Sequence, residues 1–370
     1  MASTHVTWDP IFRRPKAPRA VRDGRISITE YASSLKSLRR GRVKILVTGA
    51  AGFIGARATD LLSPDHEIVA VDSFDDYYSP HLKHLRASRL RESTGVEVLQ
   101  LNLSNAQECA SVFDSSIDAV IHLAARPGVR APVQDLPIYV NANVVALTNI
   151  LTNVQAYDVP QVFYASSSSV YGDKIGSLVE TDPVLKPVSY YGATKLAGEL
   201  MVDAVSRLDD RVFVGLRFFT VYGPWGRPDM LMWRLIASAL GGPGVGILGD
   251  GSAQRDFTYV DDIAFALASL ISHSNLPAGS SVLNIGGGNP VSVRNIIDIV
   301  ARAVGEPPLV TFGERMASDV QQTHANPEAL TALLGQAPST RLQDGVIRTV
   351  EWFQSELADG TRLLDLDDGN

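Results

Sequence analysis

The sequence predicts an α/β protein, a doubly wound parallel sheet followed by a smaller mixed α/β substrate-binding region. Three observations predict it. Short β-branched apolar runs alternate with stretches of helical periodicity between Val43 and Arg217. The first run leads into a glycine-rich turn at Thr48 to Gly55. The second run ends in a carboxylate, Asp72.

Val43-Lys44-Ile45-Leu46-Val47 has the composition of a buried parallel strand. The turn Thr48-Gly49-Ala50-Ala51-Gly52-Phe53-Ile54-Gly55 then opens a helix that runs through Leu62. Its glycines are spaced three and three, not two and three as in the usual dinucleotide fingerprint, but the physical roles carry over. Gly49 permits the tight turn, Gly52 lets the backbone approach a pyrophosphate, and Gly55 lets the helix pack on the strand. Unpaired N–H groups at the helix start then face the phosphates. A second strand, Glu67 to Val71, ends in Asp72, 23 residues after Gly49. A carboxylate there accepts from ribose hydroxyls and repels a 2′-phosphate, which favours NAD over NADP. An ordinary βαβ unit with a glycine turn is the competing reading.

Further strands are expected at Val96 to Leu101, Ala119 to Ala124, Gln161 to Ala165 and Val212 to Arg217. Helices are expected at Ala106 to Phe113, Leu136 to Tyr157 and Val188 to Leu208. After Thr220 the pattern changes to Gly/Pro-rich loops and short helices, of the kind that cap the carboxyl ends of such strands. Gly241 to Gly244 and Gly286 to Gly288 read as turns.

Tyr191 and Lys195 carry the chemistry. Side chains four residues apart share one helix face. A lysine there stabilises a tyrosinate and lowers a phenol pKa that is otherwise about 10. Beside a nicotinamide, the pair takes a proton from an alcohol as hydride leaves carbon. Alone, such a spacing is far more often an unrelated Tyr and Lys on a surface helix; the rest of the chain reverses that weighting.

Composition agrees with a globular enzyme: 45% hydrophobic and 20% charged residues over 370. The net charge of −7 gives no reason to expect nucleic acid or an anionic membrane as partner. Cys109 is the one cysteine, so an intramolecular disulfide and a Cys-based metal cluster are excluded, and no metal is expected. With no run of about 18 apolar residues and no apolar secretory core at the start, a cytoplasmic protein is expected. Residues 1–42 form a basic, Pro-containing extension in which Trp8, Ile11 and Phe12 are candidates to dock on a neighbour. Residues 355–370 read as a frayed acidic tail.

Several segments in order resemble the extended short-chain dehydrogenase/reductase family, with its Rossmann-like core, and within it the nucleotide-sugar epimerases and dehydratases. They are Thr48 to Gly55, His122-Leu123-Ala124-Ala125, Ser166 to Gly172, Tyr191 with Lys195, and Arg255 to Asp262. The resemblance covers about Val43 to Gly345. Asp75-Asp76-Tyr77-Tyr78, Arg126-Pro127-Gly128-Val129-Arg130 and Arg217 to Met230 are similar to the members that epimerise UDP-glucuronate at C4.

The resemblance implies roles residue by residue. Ser167, Tyr191 and Lys195 are catalytic, with Ser167 bonding the reacting hydroxyl. NAD lies on Gly49, Ala51, Gly52, Phe53, Ile54, Gly55 and Asp72, with Asn102 and Leu103 at the adenine. Leu123, Ala124, Ala125, Asn143, Tyr191 and Lys195 complete its site. The UDP-sugar contacts Arg126, Ser167, Ser168, Ser169, Thr220, Arg227, Arg255 and Asp319. Arg255 suits the diphosphate and Asp319 the uridine ribose, although Ser318 stands where a glycine is expected. Residues 43–219 with about 258–290 form the NAD-binding domain, and about 220–257 with 291–350 the nucleotide-sugar-binding domain. A homodimer through the two long helices is also implied.

Substrate chemistry narrows the choice. Oxidising C4 of glucuronate makes a β-keto acid, which loses CO2 readily when its carboxylate aligns with the ketone. The related dehydratases carry an acidic pair at Ser168 and Ser169, and the decarboxylases an acid at Ser169; this chain has neither. Thr220 and Arg227 are candidates to hold the carboxylate. The expectation is reversible interconversion of UDP-glucuronate and UDP-galacturonate. A UDP-glucuronate decarboxylase, another UDP-sugar 4-epimerase and an NAD-binding scaffold without turnover remain the alternatives.

Overall fold

The structure, a computed structural model, describes residues 41–130, 132–316 and 319–358. The extension before residue 41, the tail from 359 and Ser318 lie outside the described residues.

In chain order the strands are β1 (Lys44–Thr48), β2 (Glu67–Asp72), β3 (Val98–Gln100), β4 (Ala119–His122), β5 (Gln161–Ser167) and β6 (Val212–Phe218). They continue as β7 (Thr220–Tyr222), β8 (Val245–Leu248), β9 (Gln254–Tyr259), β10 (Gly279–Ile285), β11 (Pro290–Ser292) and β12 (Val310–Gly313). Seven of them form one parallel sheet in the order β10-β6-β5-β4-β1-β2-β3. The chain winds outward from β1 through β2 to β3, then returns to β4 on the other side of β1. The direction of winding reverses between β1 and β4, and a doubly wound sheet opens its ligand crevice at that point. Thr48 is registered with both Val71 and His122, so the ends of β1, β2 and β4 share one edge of the crevice.

Ile45, Leu46, Val47, Val120, Ile121, Val162 and Phe163 are fully buried, as parallel strands covered on both faces require. The helix Phe53–Leu62 follows the glycine turn, and its Arg57 donates to Asp261 on the helix Val260–Ser272 at 2.6 Å. Cys109 fills space in the short helix Ala106–Ala110.

Three expectations needed correction. The helical stretch from Leu136 is interrupted by a π segment, Asn141–Val145, before it resumes as Ala146–Ala156. The inserted residue leaves the apolar periodicity almost unchanged, so the pattern does not reveal it. Beyond Thr220 there are two small sheets, β11-β9-β7 and β12-β8, with helices Val260–Ser272, Val293–Val304 and Leu342–Ala358. Apart from the six-residue β9, these strands have three or four residues, too short for a readable period, and their pairing is long-range. Residues 355–358 are not frayed tail. They complete the last helix, where Glu356 is buried and pairs with Arg89 at 3.1 Å.

Candidate active site

The cleft above the sheet has a volume of about 1550 Å³. Single-ligand pockets span roughly 300–1,000 Å³, so this one has room for a dinucleotide and a second nucleotide together. Nearly all the expected site residues line it: Gly49, Gly52, Phe53, Ile54, Gly55, Asp72, Asn102, Leu103, Leu123, Ala124, Ala125, Arg126, Ser167, Ser168, Ser169, Tyr191, Lys195, Thr220, Arg227, Arg255 and Asp319.

Two expected cofactor contacts do not face the cleft. Ala51 is fully buried; its N–H donates to Asp72 at 3.0 Å, and its carbonyl accepts from Arg86. Asn143, in the π segment, is spent on support. Its Oδ1 accepts from the Arg126 N–H at 2.7 Å, and its Nδ2 donates to the Arg126 carbonyl and the Thr194 hydroxyl. It therefore ties the Arg126 loop to the helix that carries Tyr191.

The glycine turn fits a dinucleotide. Gly49 has φ +70°, and a Cβ there would lie 2.7 Å from the Ala124 nitrogen. A Cβ on Gly55 would lie 2.0 Å from the Gly49 carbonyl oxygen. The turn is thus closed down to backbone contact. The helix begins at Gly52 with no side-chain cap, leaving its first N–H groups directed at the cleft. Asp72 also accepts from Phe74 N–H at 2.8 Å. Burial raises its pKa, and the two backbone donors and Lys83 act against that rise.

The helix Tyr190–Ser206 is capped by Ser189, whose hydroxyl accepts from the Gly192 N–H at 3.1 Å. The cap places Tyr191 in the first turn, where the helix dipole favours negative charge. Burial raises the Tyr191 pKa, while the nearby Arg227 charge and a hydrogen bond with Ser167 act to lower it. Lys195 lies 5.8 Å from the Tyr191 ring centre and donates to the Ala165 carbonyl at 2.8 Å. Burial lowers its pKa to about 8. Ser167 closes the group: its hydroxyl accepts from the Ser169 N–H and lies 3.1 Å from the Ser169 hydroxyl. His122, buried beside the Thr48 hydroxyl, is held near pKa 3 by desolvation and Lys195, so it stays neutral.

At the far end of the cleft, Arg255 sits with Arg130 and Arg315 around Asp319. Arg130 pairs with the Asp319 carboxylate at 2.9 Å, and Arg315 donates to its backbone carbonyl. Burial lowers the Arg255 pKa; Asp319 opposes this and the two neighbouring arginines add to it. An excess of guanidinium over carboxylate suits a diphosphate.

Sequence reasoning missed several supports. Arg86 is 2% exposed and donates to the carbonyls of Ala51, Trp225 and Gly226 and to the Tyr78 hydroxyl. It joins the glycine turn to the loop carrying Arg227. Asp229, Tyr77, Lys83, Arg130 and Arg315 also line the cleft. Tyr77 and Asp229 sit in motifs visible in the sequence, but their meeting spans 152 residues and has no local signal. Among the described residues no group of His, Cys, Asp and Glu is placed to hold a metal, and no helix is long and apolar enough to cross a membrane.

Residues 45–286 match the NAD dependent epimerase/dehydratase family. The chain is 37% identical over 316 residues to a UDP-glucuronate 4-epimerase of Thermodesulfobacterium geofontis, covering 84% of this chain and 96% of that protein. The crystal structure of UDP-glucuronic acid 4-epimerase from Bacillus cereus with UDP-glucuronic acid and NAD superposes with a TM-score of 0.80 at 32% identity, over 85% of this chain and 99% of that one. MoeE5, solved with UDP-glucuronic acid and NAD, is 36% identical with a TM-score of 0.75, over 85% and 99% of the two chains. It has also been solved with UDP-glucose and NAD. On the family match and these relatives together, the chain belongs to the NAD dependent epimerase/dehydratase family.

Proposed function

We propose that the protein interconverts UDP-glucuronate and UDP-galacturonate by reversible epimerisation at C4. The observation that carries this reading is the convergence of Ser167, Tyr191 and Lys195 in one cleft, between a dinucleotide-shaped glycine turn, Arg227 and the arginine cluster around Arg255. Bound NAD supplies oxidation and re-reduction at C4, held by Gly49 to Gly55, Asp72 and Lys195.

The chain's own residues do the rest. Tyr191 takes the C4 hydroxyl proton and returns it, and Ser167 aligns the oxygen with the phenol. Lys195 keeps positive charge beside the phenolate. Arg255, with its arginine neighbours and Asp319, grips the nucleotide, so that binding energy far from C4 retains the sugar while it turns over. Arg227 and Thr220 face the C5 carboxylate. No acid stands at Ser168 or Ser169 to work at C5, which favours return to an epimer over loss of CO2. In this reading residues 43–219 with 258–290 serve the dinucleotide, and 220–257 with 291–350 the nucleotide sugar. The protein acts in the cytoplasm as a homodimer paired through the helices at Leu136–Ala156 and Tyr190–Ser206.

The test is incubation of the NAD-loaded protein with UDP-glucuronate, followed by mass spectrometry and proton NMR. A product of unchanged mass with an inverted C4 proton is expected. A UDP-pentose would make it a decarboxylase, and no turnover would leave an NAD-binding scaffold.

A further inference from the structure

The guanidinium expected to receive the substrate carboxylate already has an anion of its own. Arg227 Nε and Nη2 donate to the two carboxylate oxygens of Asp229 at 2.9 and 2.6 Å. Both side chains lie on the cleft wall, 21% and 33% exposed. Tyr77 braces the pair: its hydroxyl is 3.4 Å from Asp229, and the Arg227 guanidinium lies 5.7 Å from its ring centre. Burial alone would raise the Asp229 pKa, but the Arg227 charge overrides it and the carboxyl is held below its ordinary value. Charge and geometry thus favour the ionised form of Asp229 beside Arg227.

Two consequences follow from charge alone. A neutral hydroxymethyl group at C5 leaves the Arg227–Asp229 pair intact, so no unpaired cation penalises a neutral hexose. A C5 carboxylate is attracted by Arg227 but meets a like charge at Asp229. Asp229 takes two of the five guanidinium N–H groups, so the substrate carboxylate has donors left to it but must share one positive charge with a second anion.

We propose that Asp229 is a specificity-determining residue, the internal counter-ion that competes with the substrate carboxylate for Arg227 and so limits discrimination between uronate and neutral hexose. This rests on the proposed UDP-glucuronate 4-epimerase reading. It inverts the simple expectation for an acidic residue beside a carboxylate subsite: removing the acid sharpens selectivity.

The test compares kcat/KM for UDP-glucuronate and UDP-glucose in the NAD-loaded full-length protein. Asp229→Asn is expected to raise the uronate-to-hexose ratio on the order of tenfold, about 1.4 kcal/mol. Asp229→Glu, which keeps the charge, is expected to stay near the wild-type ratio. An unchanged or lower ratio in Asp229→Asn overturns the proposal. Wild-type crystal structures with each sugar test it without a variant. The Arg227 contacts to Asp229 should persist with UDP-glucose, and with UDP-glucuronate the sugar carboxylate should join Asp229 on the same guanidinium. A uronate complex in which the sugar carboxylate makes no contact with Arg227 overturns it. Failure of the parent reading is distinguishable: a wild type that epimerises neither sugar removes the function itself, and this inference with it.

Discussion

Glu199 and Arg217 form a two-point ion pair in the wall behind Ser167, with N–O distances of 2.8 and 2.9 Å and side chains 8% and 3% exposed. Ser166 donates to the same carboxylate at 2.5 Å, and Arg217 Nη1 donates to the Tyr171 hydroxyl at 2.8 Å. Tyr171 in turn donates to Asn284 on β10. The pair thus fastens the Tyr191 helix to β5, β6 and β10 at once. Removing one member strands the other charge in the interior. Glu199→Ala should cost about 3–5 kcal/mol of stability, read as a lower urea midpoint. An unchanged midpoint would show that the pair is stabilised no better than an apolar contact.

Tyr191→Phe keeps the ring and removes only the proton acceptor. The fold and NAD retention should survive, with turnover lowered about 10²–10⁴-fold. Steady-state kinetics beside a circular dichroism melt separate the two effects, and near-normal turnover would assign the proton to another group.

Gly55→Ala puts a methyl 2.0 Å from a backbone carbonyl oxygen that has nowhere to move. Overpacking of this kind costs about 1–3 kcal/mol, and it should also expel NAD from the turn. Gly313→Ala is the control, with its nearest neighbour at 3.9 Å. Cofactor content after purification and the melting temperature check both; full NAD occupancy in Gly55→Ala would contradict the close-packed turn.

Lys195 gives a pH signature. Burial lowers its pKa from 10.5 to about 8. The unfolded chain therefore binds more protons than the folded one between those values, so stability rises with pH across that window. Below pH 8 the full cost of burying the ammonium is present. Lys195→Met removes this term, so the stability of the wild type relative to Lys195→Met should climb from pH 8 toward 10.5. Denaturant titrations of both proteins measure it, and a flat difference would mean that the ammonium is not penalised where it sits.

What the sequence determined by itself was local. The glycine turn, Asp72 at the end of β2 and the Tyr191–Lys195 spacing were all readable, because each depends on residues within one or two elements. A strand of five or six buried residues and a helix of seventeen impose their period on the sequence. The three-residue strands β7 and β11 and the five-residue π segment do not. Tertiary structure decided who pairs with whom. Asn143 was expected at the cofactor, yet its amide is consumed by Arg126 and Thr194, a choice set by the π segment's geometry. Arg227 was read as a candidate to hold the substrate carboxylate, and Asp229, two residues away in the same motif, faces it with both oxygens. Arg86 and Arg217 are buried arginines whose acceptors lie on separate elements, reached only once the sheet has formed. Charge is carried by single residues, but whether a charge is free, shared or neutralised depends on distances that only the folded chain sets.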